Sequence, residues 1–418
     1  MGSVTKVPKA EAAPVRERAY LTENIRYTLD DRALMGLRRF AALGHAAGLL
    51  PREEFSLIAP PPRLPRWDVE ALLQRASMGQ RLSYAEGVAL AERAPLDRLG
   101  AAANLRRQGL HPNGEVGYSL VGNLDYSHAC AAGCSFCAFR SPEVALDEAA
   151  IDSRLAALVK AGASGVLLQG GLDPALSLDW HLALIGRIRA NTGLAVFGYG
   201  PDEVLDLAAR SGLSTDGVLD RLAAAGLDGL PGAGAEVLVD RVRRAIAPRK
   251  ATVAQWLSVL EAAHRRGLGG HASLLVGVGE SREEQVEHLL ALRELQDRSG
   301  GLTGIAVWSW VPVHGVVGSD ASATGWLRAL ALSRLLLDNV NHVQAGWQGL
   351  GLDLAQAALW MGADELGPAL LDGSAMVVRG TEVETVPELE RHLKVAGFQA
   401  VRRDFWRVNP EKESHAQL

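Results

Sequence analysis

The sequence predicts an α/β fold: a (β/α) barrel of TIM type, preceded by a helical preface and followed by a C-terminal extension. Three observations predict it. Short β-rich runs alternate with longer amphipathic runs from about residue 116 onward, the pattern of βα units around a parallel sheet. Seven such strands are legible, an eighth is suggested near Val377, and 418 residues leave room for a barrel with extensions. The composition, 48% hydrophobic and 22% charged, is that of a chain that can bury a large core.

Residues 1–65 read as a charged flexible tail, a short helical segment carrying Leu34, Leu37 and Phe40, and a stiff linker, Ala59-Pro60-Pro61-Pro62-Arg63-Leu64-Pro65. Residues 66–115 form the preface, with amphipathic stretches at 69–76, 84–94 and 96–107, the last opened by Pro95 at a helix-start position. Residues 116–418 form the barrel and its extension. The strands are expected at 118–123, 165–169, 194–198, 226–230, 271–276, 304–308 and 342–345. Helices are expected at 147–160, 179–190, 201–225 with a break at Ser211-Gly212, 252–266, 282–297 and 325–338. The tail is expected to include 389–405.

Composition also excludes. Lys and Arg number 43 against 48 Asp and Glu, a net charge of −5, so no positive field exists to hold a nucleic-acid backbone. No apolar run approaches the roughly 18 residues that span a bilayer. The first twenty residues contain no apolar leader, so a cytoplasmic location is the expectation. Three cysteines cannot build a disulfide framework.

All three lie in Cys130-Ala131-Ala132-Gly133-Cys134-Ser135-Phe136-Cys137, directly after the first expected strand. In a barrel, the loop leaving a strand lies over the catalytic mouth. Thiolates are soft ligands for zinc or iron–sulfur clusters, and small residues between them let the backbone wrap closely around a metal centre. Structural zinc asks for four closed ligands, and His128 is the nearest substitute for a missing fourth cysteine. Three thiolates suit a 4Fe–4S cluster that keeps one iron open for a small chelating molecule. Three readings stand at this point: a radical enzyme, an electron-transfer iron–sulfur protein, and a zinc-stabilised scaffold.

The spacing CxxxCxxC, with Phe136 before the last cysteine, resembles the signature of the radical S-adenosylmethionine (SAM) enzymes. The resemblance implies that Cys130, Cys134 and Cys137 ligate a 4Fe–4S cluster whose open iron binds SAM. Reductive cleavage then yields a 5′-deoxyadenosyl radical that abstracts a substrate hydrogen. It further implies Phe136 against the adenine, Phe139 closing the loop, Gln169-Gly170-Gly171 at the SAM amino group and Glu236, in Pro231-Gly232-Ala233-Gly234-Ala235-Glu236, at the ribose. An electron donor such as flavodoxin or ferredoxin is implied as partner. Within that superfamily, Tyr126, Cys137-Ala138-Phe139, Leu168-Gln169-Gly170-Gly171, Ala225-Gly226-Leu227-Asp228, Arg293-Glu294-Leu295-Gln296-Asp297 and Leu337-Asp338-Asn339 resemble the cyclic dehypoxanthinyl futalosine synthases of the futalosine route to menaquinone. The aminofutalosine and deazaflavin synthases share many of these motifs. Arg210-Ser211-Gly212-Leu213 and Val239-Asp240-Arg241-Val242-Arg243 favour the cyclases. Residues 20–50 are similar to the end of chorismate dehydratase, an earlier enzyme of the same route.

The chain departs from the cyclase pattern at the substrate rim. Gly277-Val278-Gly279-Glu280 lacks the family's histidine at Val278, Phe197 stands for another, and Tyr199-Gly200-Pro201-Asp202-Glu203 replaces Phe-Ser-Pro-Pro-Glu. Val307-Trp308-Ser309-Trp310-Val311-Pro312-Val313-His314 keeps only Trp308 and Pro312, and Trp347-Gln348-Gly349 lacks a Val-Thr. These exchanges leave the cofactor motifs nearly whole and point to a diverged cyclase or to a paralogue acting on another aromatic nucleoside. No catalytic residue is assigned: Asp202 and Glu203 are candidate bases that read more simply as helix-start acids, His128 and His271 read as hydrogen-bonded wall residues, and Trp308 and Trp310 share a face if their strand continues.

Overall fold

The computed structural model describes residues 67–137, 139, 145–310, 322–347, 350–367, 369–370 and 386–403. The expected tail and linker, His314 and the suggested strand near Val377 lie outside the described residues.

The preface is three helices, α1 (Val69–Ser77), α2 (Tyr84–Arg93) and α3 (Leu96–Leu110). Asp68 caps α1 by accepting from the amides of Glu70 and Ala71, and Ser83 with Glu86 forms a capping box on α2. Their apolar faces, including Leu72, Leu73, Leu90, Leu99 and Ala103, join the same buried cluster as the barrel helices. Arg81, between α1 and α2, clamps Asp297 at 2.7 Å and Asp338 at 2.9 Å.

The barrel follows as β1 (Glu115–Tyr118), β2 (Leu120–Ser127), α4 (Glu148–Lys160), β3 (Gly165–Gly170), α5 (Leu178–Asn191), β4 (Ala195–Gly198), α6 (Pro201–Ser211), α7 (Thr215–Ala225), α8 (Asp240–Ile246), α9 (Val253–His264), β5 (Gly270–Val276), α10 (Arg282–Ser299), β6 (Leu302–Ser309), α11 (Ala323–Leu336), β7 (His342–Ala345), α12 (Leu352–Leu359), β8 (Glu365–Leu366), β9 (Ala369–Leu370), α13 (Val386–Val395) and β10 (Gln399–Arg402). All strand pairings are parallel. One sheet runs β4-β3-β2-β9 and the other β10-β1-β8-β7-β6-β5. Single bridges Phe197 to Gly229 and Gly232 to Ala272 join β4 to β5. On the other side β8 pairs with β7 while β9, three residues on, pairs with β2. The pairings therefore run full circle, as in a TIM-type barrel.

On β2, a Cβ at Gly122 would run into the Leu158 side chain of α4. That face lies against the helix, so Val121, Asn123 and Asp125 point the other way, into the ring. Val121 packs there with Phe197 of β4.

Three expectations need correction. The run 226–230 is not a strand. Gly226, at φ 107°, caps α7 in the left-handed region, the Asp228 carboxylate accepts from the Val196 amide at 2.8 Å, and Pro231 offers no amide, so a ladder cannot propagate. The expected first strand is two: β1 leaves the ring to pair with the C-terminal β10, and β2 takes its place. Finally, β6 stops at Ser309, so Trp310 is not on the same strand as Trp308.

Candidate active site

The cysteine loop leaves the C-terminal end of β2 and lies over the ring. Close approach to the end of β3 is possible because Gly171 has no side chain: a Cβ there would overlap the Ala129 carbonyl and come within 2.5 Å of the Cys130 Cβ. Gly170 likewise leaves room for the Tyr126 ring. The loop is tied down by Ala131 N donating to Leu172 O at 3.0 Å and Ser135 N to Ile246 O at 2.8 Å, and by Arg249 donating to Ala131 O at 2.8 Å. Cys130 Sγ accepts from the amides of Ala132 and Leu172 at 3.4 and 3.3 Å, and Cys137 Sγ from Phe139 N at 3.4 Å. Of these donors, the Phe139 amide favours thiolate over thiol at Cys137. Burial opposes them, pushing Cys134 up to about 11 and Cys137 upward as well, so a metal centre must displace protons as it binds.

All three cysteines face one cavity of about 440 Å³, whose wall also includes Phe136, Phe139, Gln169, Gly170, Tyr199, Asp202, Glu203, Glu236 and Lys250. Of the expected cofactor residues, Gly171 is set back behind the cysteine loop, bordering a smaller crevice instead. Among the described residues, only His111, His342 and Asp364 bring three ligand atoms all within 4.8 Å of one another. The three sulfurs are therefore spread more widely than the roughly 3.8 Å that tetrahedral Zn–S bonds of about 2.3 Å impose. The trio is spaced too widely for a single zinc, and three thiols around one cavity are a donor set that an iron–sulfur cluster takes.

Beside the cysteine loop the wall is ionic. Lys250 Nζ stands 2.9 Å from Glu236 and 3.6 Å from Asp202, and 5.8 Å over the Phe136 ring. Burial would discharge the amine, but Glu236 and Asp202 outweigh it and raise its pKa above the ordinary lysine value. Glu236, held at φ 41°, also meets Arg243 at 3.4 Å. Asp202 Oδ1 accepts from Ala251 N at 2.7 Å. Asp202 and Glu203 do sit in the first turn of α6, and the same position carries both carboxyls to the cavity. Lys250 carried no signal in the sequence, since its partners lie 14 and 48 residues away.

The other singled-out residues scatter. Phe197 is buried inside the ring against Val121, below the rim. Val278 lies on the loop after β5, its amide donating to Glu280 at 2.9 Å. His128 stacks on Phe139 at 5.1 Å, beside the mouth. His271 starts β5 at the opposite end, 3.2 Å from Glu365 and 2.8 Å from Thr303. That end also holds the His111, His342 and Asp364 group. It is closed by cations: Arg334 pairs with Asp364, and Arg403 lies 3.2 Å from His342 Nδ1. No room is left there for a divalent ion.

Residues 124–292 match the radical SAM superfamily model, and residues 313–412 match the CofH/MqnC C-terminal region. The cyclic dehypoxanthine futalosine synthase of Streptomyces coelicolor is 34% identical over 75% of this chain and 82% of its own length.

The chain belongs to the radical SAM superfamily.

That of Halalkalibacterium halodurans is 31% identical over 75% of the chain and 87% of its own length. A similar likeness links this radical SAM chain to the 5-amino-6-(D-ribitylamino)uracil–L-tyrosine 4-hydroxyphenyl transferase 2 of Methanosarcina mazei, 32% identical over 80% of the chain and 90% of that protein. Among solved structures, methylornithine synthase matches with a TM-score of 0.63 at 20% identity, covering 79% of this chain and 97% of that one. The FeFe-hydrogenase maturase HydG from Carboxydothermus hydrogenoformans matches at 0.65 and 17%, covering 89% and 85%. These two share the fold. Among the described residues no helix is long and apolar enough to cross a membrane.

Proposed function

We propose that this radical SAM enzyme cyclises dehypoxanthine futalosine to cyclic dehypoxanthinyl futalosine. The observation that carries the reading is the 34% identity to a cyclase across most of both chains, joined to one cavity that gathers the three cysteines with an ionic group. When bound, the 4Fe–4S cluster and SAM supply a 5′-deoxyadenosyl radical, and the protein supplies placement and exclusion of water.

Cys130, Cys134 and Cys137 are the cluster ligands in this reading, with backbone amides donating to the sulfurs of Cys130 and Cys137. Gln169 and Gly170, at the end of β3, border the same space and take the amino-acid part of SAM, with Gly171 fixing the turn. Phe136 offers a ring face for the adenine. Glu236 accepts from the ribose hydroxyls while Lys250 neutralises its charge, which keeps a buried carboxylate from costing several kcal/mol. A small electron-transfer protein such as flavodoxin or ferredoxin provides the electron.

A second reading rests on the transferase relatives, whose names specify transfer of a 4-hydroxyphenyl group between L-tyrosine and 5-amino-6-(D-ribitylamino)uracil. Anaerobic reconstitution with iron and sulfide, followed by incubation with SAM, a reductant and either dehypoxanthine futalosine or aminoribityluracil plus tyrosine, separates the two. Cyclised product from the first and none from the second is the expected outcome; the reverse establishes the transferase.

A further inference from the structure

Glu203 borders the cavity without a task in the reading above. In the first turn of α6 its Oε2 accepts from Gly200 N at 2.7 Å and its Oε1 from the Tyr126 hydroxyl at 2.9 Å. The carboxyl stands at a partition. On one side is the cavity with the cysteines. On the other is a narrow crevice lined by Tyr126, Asp173, His181, Tyr199, Asp206 and Arg210. Within that crevice Tyr199 OH meets His181 Nδ1 at 3.3 Å. Asp206 and Arg210, paired at 2.7 Å, are each more than a quarter exposed, so the crevice ends at the surface. A carboxyl that touches a molecule in the cavity on one face and a polar path to solvent on the other is placed to carry a proton between them.

We propose that Glu203 is the proton acceptor of this active site, taking a proton from the substrate in the cavity and releasing it to solvent through the crevice behind.

The inference rests on the cyclase reading and deepens it. A ring that has accepted a new carbon–carbon bond must shed a proton to regain aromaticity. The bond broken is ring C–H; its electron pair stays with the ring, leaving a radical anion that gives its surplus electron to a one-electron acceptor, an oxidised iron–sulfur centre or electron-transfer protein, and the proton converts the Glu203 carboxylate to the neutral acid. The proton step itself consumes no oxidant. Burial pushes Glu203 up to about 7; the Gly200 amide, the Tyr126 hydroxyl and the Lys250 charge hold it back, and Asp202 adds to the rise. The neighbouring titratable groups are Tyr126 from β2, Asp173 after β3, His181 from α5, Tyr199 after β4, Asp202 on α6 and Lys250 after α8. Burial keeps His181 down at about 4 and both tyrosines well above their ordinary range, and Glu236 with Asp202 holds Lys250 charged, so none of these four competes with Glu203 for a proton near neutrality.

The test uses the full reconstituted chain and dehypoxanthine futalosine, with product per 5′-deoxyadenosine followed from pH 6 to 9. The wild type is expected to show an acid limb near pH 7. Glu203→Gln is expected to lower product per 5′-deoxyadenosine by about a hundredfold and to lose the limb. Tyr126→Phe, which removes a donor that stabilises the carboxylate, moves the limb to higher pH. A second readout needs no activity. A carboxyl whose pKa is higher folded than unfolded costs stability as pH rises from about 4.5 to about 7. Urea unfolding of the metal-free protein should show that loss in the wild type and not in Glu203→Gln. A Glu203→Gln protein with the wild-type product ratio and limb, or with the wild-type stability profile, overturns the inference. A wild type that cleaves SAM without forming product overturns the substrate reading instead, and Glu203 is then decided by the stability profile.

Discussion

Lys250 holds together a wall that would otherwise repel itself. Its ammonium sits between Glu236 and Asp202, and its side chain is only 15% exposed. Lys250→Met leaves two buried carboxylates facing each other, with Arg243 reaching only Glu236. The expected cost is on the order of 3 kcal/mol, read by urea unfolding at neutral pH. The loss should shrink in acid, where the carboxylates protonate. At this scale the cysteines were legible because their signal is local: three thiols within eight residues, after a strand. Lys250 was not, because its meaning depends on carboxylates delivered by two other segments. Glu203 was read as a helix-start acid, which it is; its second face became visible only when Tyr126 and the crevice were brought beside it.

At the scale of elements, the register of a helix on the ring depends on a single missing side chain. Leu158 of α4 fills the space that a Cβ on Gly122 would occupy, and it is 2% exposed. Gly122→Ala is expected to cost about 1–3 kcal/mol through overpacking, and Leu158→Ala about 2–5 kcal/mol through the cavity it leaves. In the double variant the new methyl enters that cavity, so the combined loss should fall below the sum by more than about 0.5 kcal/mol in a double-mutant cycle. Six of the seven expected strands and the principal helices were readable from alternating patterns. The run 226–230 failed because an apolar-looking stretch, Gly226-Leu227-Asp228-Gly229-Leu230, is punctuated by two glycines and followed by Pro231. Its partners are supplied one residue at a time. The pairing of β1 with β10 joins residues almost three hundred apart, a relation that no local period can encode.

For the whole molecule, one charge cluster fastens the first and last described segments to the base of the barrel. His342, at the start of β7, donates to Asp364 at 2.6 Å and lies 3.6 Å from Glu365. Around them stand His111 at the end of α3, stacked on His342 at 5.3 Å, and Arg403 just after β10, 3.8 Å from Asp364. Burial opposes the imidazolium, but Glu365 and Asp364 outweigh it and push His342 up to about 9 from its ordinary 6.5. A base bound more tightly to its proton in the folded state lends stability that is complete below about pH 6.5 and disappears as pH climbs through about 9. Unfolding midpoints should therefore fall across that window in the wild type, whereas His342→Gln should be less stable at pH 6.5 and nearly level up to pH 9.

The ring is stitched unevenly. Between β5 and β6 the register is continuous from Gly270 to Val276 apart from one irregularity, yet between β4 and β5 the backbone is joined only through residues 228–232, with bridges at Gly229 and Gly232. Just beyond this seam the chain turns upward to Glu236, whose carbonyl accepts from the Leu275 amide at 2.9 Å. A barrel fluctuates most where its hydrogen-bond density is lowest. Breathing of the scaffold is thereby favoured at this seam, and the chamber can widen there for a bulky guest while β2, which carries the cysteine loop at its end, keeps its register with β3.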